Sequence, residues 1–184
     1  TALGRWLQRT VLGVLVLALG TSVLLAMGQR TSDPAVYEFT PSTVVGRVRL
    51  TPHPHLVVRR PGQGAGQSTY LLTVFGKVGA DEALQDYDDQ LVSLSGSVIH
   101  RDEHVILELD PASIEVLDTG GGLTQERQDF GSITLEGEIV DAKCFLGVMK
   151  PGRGKIHKSC AIRCISGGVP PVLVVENGKD PDFL

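Results

Sequence analysis

Positive charge is in short supply in this chain of 184 residues: 17 Lys and Arg stand against 21 Asp and Glu, a net charge of −4. No basic stripe is available for phosphates, so nucleic acid is not an expected partner. Aromatic residues are scarce at 5%, while 22 Gly and 10 Pro suit short strands joined by turns. Cysteine is absent before residue 144, which confines any redox or metal chemistry to the C-terminal third, where all three sit. The chain shows no acid–base triad either, and a non-catalytic role is expected.

Charge is also missing from Thr10 to Gln29, between Arg9 and Arg30. Twenty helical residues rise about 30 Å, the thickness of a bilayer's hydrocarbon core. Ala26-Met27-Gly28 has the small-x-small form of a cleavage site, but the apolar run exceeds a usual signal core, so an intact single-pass anchor over residues 1–30 is expected. Arg5 and Arg9 precede the run and one Arg follows it closely. The positive-inside rule then leaves the N-terminus cytoplasmic in an inner membrane and the rest periplasmic. Ala18, Ser22 and Ala26 recur every four residues and Gly13 and Gly20 add a second notch, a face that admits a neighbouring helix.

After a proline-bearing tether over 31–41, the pattern turns to strands: Val44–Leu50, His55–Arg59, Thr69–Phe75, Leu91–Ile99 with a glycine at its centre, and Val105–Leu109. A short helix fits Ala80–Tyr87, and Ile114–Leu117 closes the unit. The glycine-rich turn at 61–66 lacks the Lys-Ser/Thr ending of a phosphate loop. His53, His55, His100 and His104 read as exposed turn histidines. Five strands, a helix before the fourth and a bent glycine-bearing strand resemble the OB-fold, a small Greek-key barrel, over residues 42–118.

A Gly-rich, polar linker over 119–131 leads to a weak repeat of this pattern in residues 132–184, with strands at Ser132–Val140 and Val172–Lys179. The fold class expected is therefore mainly β: a transmembrane helix followed by two OB-like units, the second incomplete and carrying a Cys/His insertion. An open sheet edge is expected near Val172–Val175, to be covered by a partner or by further chain.

The insertion holds the dense chemistry. A helix over Lys155–Ser166, stopped by Gly167-Gly168, places His157, Cys160 and Cys164 within about 60° of arc. Three readings stay open. Cys144 pairs with Cys160 or Cys164, closing a loop of roughly 16 to 20 residues, worth about 3 kcal/mol. Alternatively Cys144, His157, Cys160 and Cys164 ligate zinc or copper. The third reading is a redox thiol tuned by His157 and neighbouring cations. Haem attachment and a Rieske cluster need patterns that are absent.

The Cys-x-x-x-Cys pair is similar to that of copper-delivery proteins of cytochrome oxidase assembly, but their following Pro, distant His and thioredoxin-like pattern are missing. Lys143 to Pro171 as a whole resembles a group of bacterial envelope proteins sharing Lys-Cys-x-x-Gly-x-Met-x-Pro-Gly-x-Gly-x-x-His-x-x-Cys-Ala-x-x-Cys-Ile-x-Gly-Gly-x-Pro-Pro. That resemblance implies an envelope location and carries no transferable chemistry. The expected function is an accessory subunit of a respiratory or photosynthetic membrane complex, with lipid and other subunits as partners; the alternative is metal or thiol handling at the cluster.

Overall fold

The computed structural model describes residues 2–28, 35–59, 66–117, 131–132, 134–176 and 181–183. The tether residues 31–34, the glycine-rich turn at 61–65 and nearly all of the linker fall outside them. The chain divides into two compact units, Thr1–Asp33 and Pro34–Leu184.

The first unit is helix α1 (Ala2–Gly28), and Leu3–Gly28 is long and apolar enough to cross a membrane. Its hydroxyls find acceptors on their own helix: Thr10 donates to the Trp6 carbonyl (3.1 Å) and Ser22 to that of Ala18 (2.8 Å). Back-bonding of this kind satisfies the hydroxyls within the helix itself.

The second unit begins with strands β1 (Val36–Tyr37), β2 (Ser42–Arg49), β3 (His55–Arg59), β4 (Gln67–Val74) and β5 (Val78–Gly79), then a single helical turn α2 (Asp81–Leu84). Next come β6 (Leu91–Arg101), β7 (His104–Leu109) and β8 (Glu115–Val116). The order β2-β3-β4-β7-β6 closes on itself, since β6 pairs β2 and β7 pairs β4 in parallel, making a five-stranded barrel. Val48, Leu56, Leu72, Leu94 and Leu107 fill it, and Ala80 and Leu84 bring α2 into the same core. The alternating pattern of Leu91–Ile99 predicts this well, because residues of period two share one face. Gly96 is needed where β6 bends: a Cβ there would lie 2.2 Å from the Glu108 carbonyl oxygen of β7.

Residues beyond the linker form β9 (Glu138–Asp141), a π turn at Cys144–Val148, helix α3 (Lys158–Ser166), β10 (Pro171–Glu176) and β11 (Pro181–Phe183). The expected strand at Ser132–Val140 is thus confined to its last residues. The helix starts three residues later than expected, because Lys155–His157 form a turn. The strands make one antiparallel sheet, β11-β10-β9. The edge expected at Val172–Val175 is covered in part: β10 is the central strand, with β9 pairing Pro171–Val174 on one side and β11 pairing Val174–Glu176 on the other.

This sheet lies against the outside of the barrel. Ile99 and Ile106, which point away from the barrel core, are buried with Val140, Phe145, Leu146 and Val174. Arg101 donates from Nε to the Phe145 carbonyl (3.0 Å) and stacks over its ring, 4.4 Å from the centroid. Lys143 pins the two layers together. Its ammonium is ion-paired with Glu108 of β7 and donates to the carbonyls of Val74 (2.8 Å) and Gly76 (2.7 Å). Tyr37 completes the network, donating to Glu108 at 3.0 Å. Removing one member of a buried ion pair strands the other charge, at a cost of about 3–5 kcal/mol. Lys143→Met should lower stability by that order in urea unfolding, whereas adding Glu108→Leu should restore part of the loss. Full additivity of the two changes would show the pair to be uncoupled.

Candidate metal centre

Four segments converge on one point. β9 ends in Asp141, the π turn begins with Cys144, the turn before α3 supplies His157, and α3 carries Cys160 and Cys164. Cys160 and Cys164 of α3, and His157 in the turn before it, are each brought close to Cys144. His157, Cys144 and Cys164 are buried; Cys160 is half-buried.

The three thiols are free, so the disulfide reading does not hold in this structure. The Cys144 sulfur lies 4.0 Å from that of Cys160 and 4.0 Å from that of Cys164, about twice the 2.05 Å of an S–S bond. Such spacing suits a different chemistry. Four ligands around zinc at metal–sulfur distances of about 2.3 Å place sulfurs about 3.8 Å apart. The donor atoms of Cys144, His157 and Cys160 all lie within 4.8 Å of one another, as do those of Asp141, Cys144 and Cys164.

Asp141 orients the set. Its Oδ2 is 2.9 Å from His157 Nε2, and its Oδ1 accepts the Cys144 backbone N–H at 2.8 Å. A carboxylate on one imidazole nitrogen fixes the tautomer and leaves the other, here Nδ1, for a metal. Sequence reasoning missed Asp141, although Asp-x-x-Cys ahead of a turn is a capping pattern that could have pointed to it.

A second missed residue is Lys77, whose ammonium donates to the Cys160 sulfur at 2.9 Å. It arrives on the β4–β5 hairpin, 83 positions away in sequence, with no local signal to announce it. The hairpin meets the end of α3 through the Gly79 N–H, which donates to the Gly167 carbonyl at 2.9 Å. Only glycine fits at 167: a Cβ would sit 1.9 Å from the Lys77 carbonyl oxygen.

Burial, then the Asp141 charge, pushes the Cys144 thiol far up; the same causes push Cys164 to about 11. The hydrogen bond to Cys160 raises Lys77, holding its ammonium form.

The remaining sequence candidates lie elsewhere. Gly13, Ala18, Gly20, Ser22 and Ala26 are exposed along α1. His55, expected at an exposed turn, is instead buried, with Nδ1 2.8 Å from the His53 carbonyl oxygen. No protein-family model matches the chain, and neither a curated protein nor a solved structure matches it.

Burial orders the thiols by reactivity. In metal-free, reduced protein at pH 8, iodoacetamide should alkylate Cys160 first and leave Cys144 and Cys164 intact until the chain is denatured. Cys164 is raised in the folded state, so its neutral thiol contributes stability that is fully present below pH 9 and is lost as pH rises through about 11. Peptide mapping checks the order; equal labelling of all three at pH 8 would contradict the burial described here.

Proposed function

We propose that this protein is a membrane-anchored envelope protein that binds one thiophilic metal ion, zinc in the first place, through Cys144, His157, Cys160 and Cys164. The observation that carries the reading is the position of Cys144, whose sulfur lies 4.0 Å from those of Cys160 and Cys164 and within 4.8 Å of a His157 ring nitrogen, with Asp141 behind the imidazole. Three thiolates and a divalent ion leave one negative charge, which the Lys77 ammonium offsets. Copper(I) would leave two. A Cys3His set with no open position holds its metal structurally, joining β9, the π turn and α3 in a segment otherwise short of core.

We further read the barrel as OB-like. The support is its closed order, the parallel β4–β7 pair and the position of α2 between its third and fourth strands. Leu3–Gly28 serves as a single-pass anchor, with Arg5 and Arg9 keeping the N-terminus cytoplasmic and the barrel periplasmic. The role as accessory subunit of a respiratory or photosynthetic complex rests on the small-residue face of α1 alone and stands second to the metal reading.

Purified, unreduced protein should contain about one zinc per chain and, after denaturation in chelator, three titratable thiols. Asp141→Asn should weaken zinc binding about 10–100-fold without changing the thiol count. One titratable thiol and no metal would replace this reading with the disulfide.

A further inference from the structure

A groove of about 510 Å³ runs between strand β9 and helix α3. Ile139, Ala161, Ile162 and Ile165 make it apolar, and Ile139 and Ile162 are 65% and 57% exposed. Isolated exposed isoleucines are ordinary; two of them lining one groove beside an open strand are not.

The strand is open in a specific sense. Among the described residues β9 pairs only with β10. The Ala142 N–H donates to the Pro170 carbonyl, and the register pairs Val140 with Val172 and Ile139 with Leu173. In an antiparallel ladder hydrogen-bonded pairs alternate, so Val140 bonds inward and Ile139 turns its N–H and C=O outward over the groove. An unprotected edge of this kind is a template for another strand.

Charge selects what that strand carries. Residues 142–175 contain six Lys and Arg and no Asp or Glu, in a chain whose net charge is −4. Two of the six, Lys155 and Lys158, line the groove and are exposed. The one carboxylate there, Glu138, already accepts the Gly154 N–H at 2.7 Å.

We propose that this groove docks an extended segment of a partner protein as an added strand on β9, with apolar residues at every second position and Asp or Glu between them. Strand addition supplies main-chain hydrogen bonds to Ile139, the isoleucines favour apolar side chains at alternate positions, and Lys155 and Lys158, which line the same groove, favour Asp or Glu among the rest. An anionic membrane surface would satisfy the lysines but leaves the N–H and C=O of Ile139 without partners.

The test uses the full chain in phosphatidylcholine nanodiscs and a fluorescein-labelled peptide alternating glutamate and valine. Fluorescence anisotropy should show saturable binding that weakens with salt and is at least about tenfold tighter than for the lysine–valine counterpart. Lys155→Glu with Lys158→Glu, both surface changes, should weaken it at least about tenfold. Ile139→Pro should abolish it while sparing the strand's own pairing, because the lost N–H faces outward. A probe N-methylated at alternate amides tests the same bond without altering the protein, and it should not bind. The proposal is overturned by an N-methylated probe that binds as well as the parent or by no peptide binding at all. It is equally overturned if the lysines serve only to bring the nanodiscs onto phosphatidylglycerol vesicles.

Discussion

The ammonium of Lys143 is the group on which the rest of the second unit depends. A lysine side chain only 5% exposed is costly to desolvate unless every donor finds an acceptor, and here each of the three does: Glu108 and the carbonyls of Val74 and Gly76. Those acceptors lie on β7 and on the β4–β5 hairpin, whereas Lys143 leads directly into the π turn. One side chain therefore ties the barrel, the hairpin and the start of the thiol cluster together. With the hairpin held, Lys77 meets Cys160; with the π turn held, Cys144 faces α3.

The same constraint sets how the cysteines sit relative to one another. Cys144 lies equally far from Cys160 and Cys164, so no single pair is preferred for a bridge. Any bridge would also leave the third sulfur and the His157–Asp141 pair in the interior without a role. A metal uses all of them at once. Buried thiols that resist ionisation are compatible with the proposed site, in which a cation would balance their charge. Metal binding as proposed would release protons, and its affinity would fall as pH is lowered.

Much of this was legible in the sequence, for reasons tied to particular residues. The barrel strands announced themselves by alternation, as in Leu91–Ile99, and the α3 face by the spacing of Cys160 and Cys164. Local patterns of this kind reflect periodicity alone. What was not legible depends on contacts between distant segments. Nothing near Lys77 in sequence points to Cys160, and nothing near Glu108 points to Lys143. Ile99 and Ile106 read as ordinary strand residues, yet their outward face seats the second sheet against the barrel. The central position of β10 was missed because the pairing strand, Pro181–Phe183, is three residues long and carries little apolar signal.

The central claim is that three sulfurs and one imidazole share a single ion. X-ray absorption at the zinc edge, on protein purified without added metal or reductant, tests it most directly. The account predicts a first shell of three sulfurs near 2.3 Å and one nitrogen near 2.0–2.1 Å. It also predicts that His157→Ala replaces the nitrogen by a solvent oxygen and keeps the three sulfurs. A shell of oxygen and nitrogen alone, or a protein that carries no metal and a Cys144 disulfide, would contradict it.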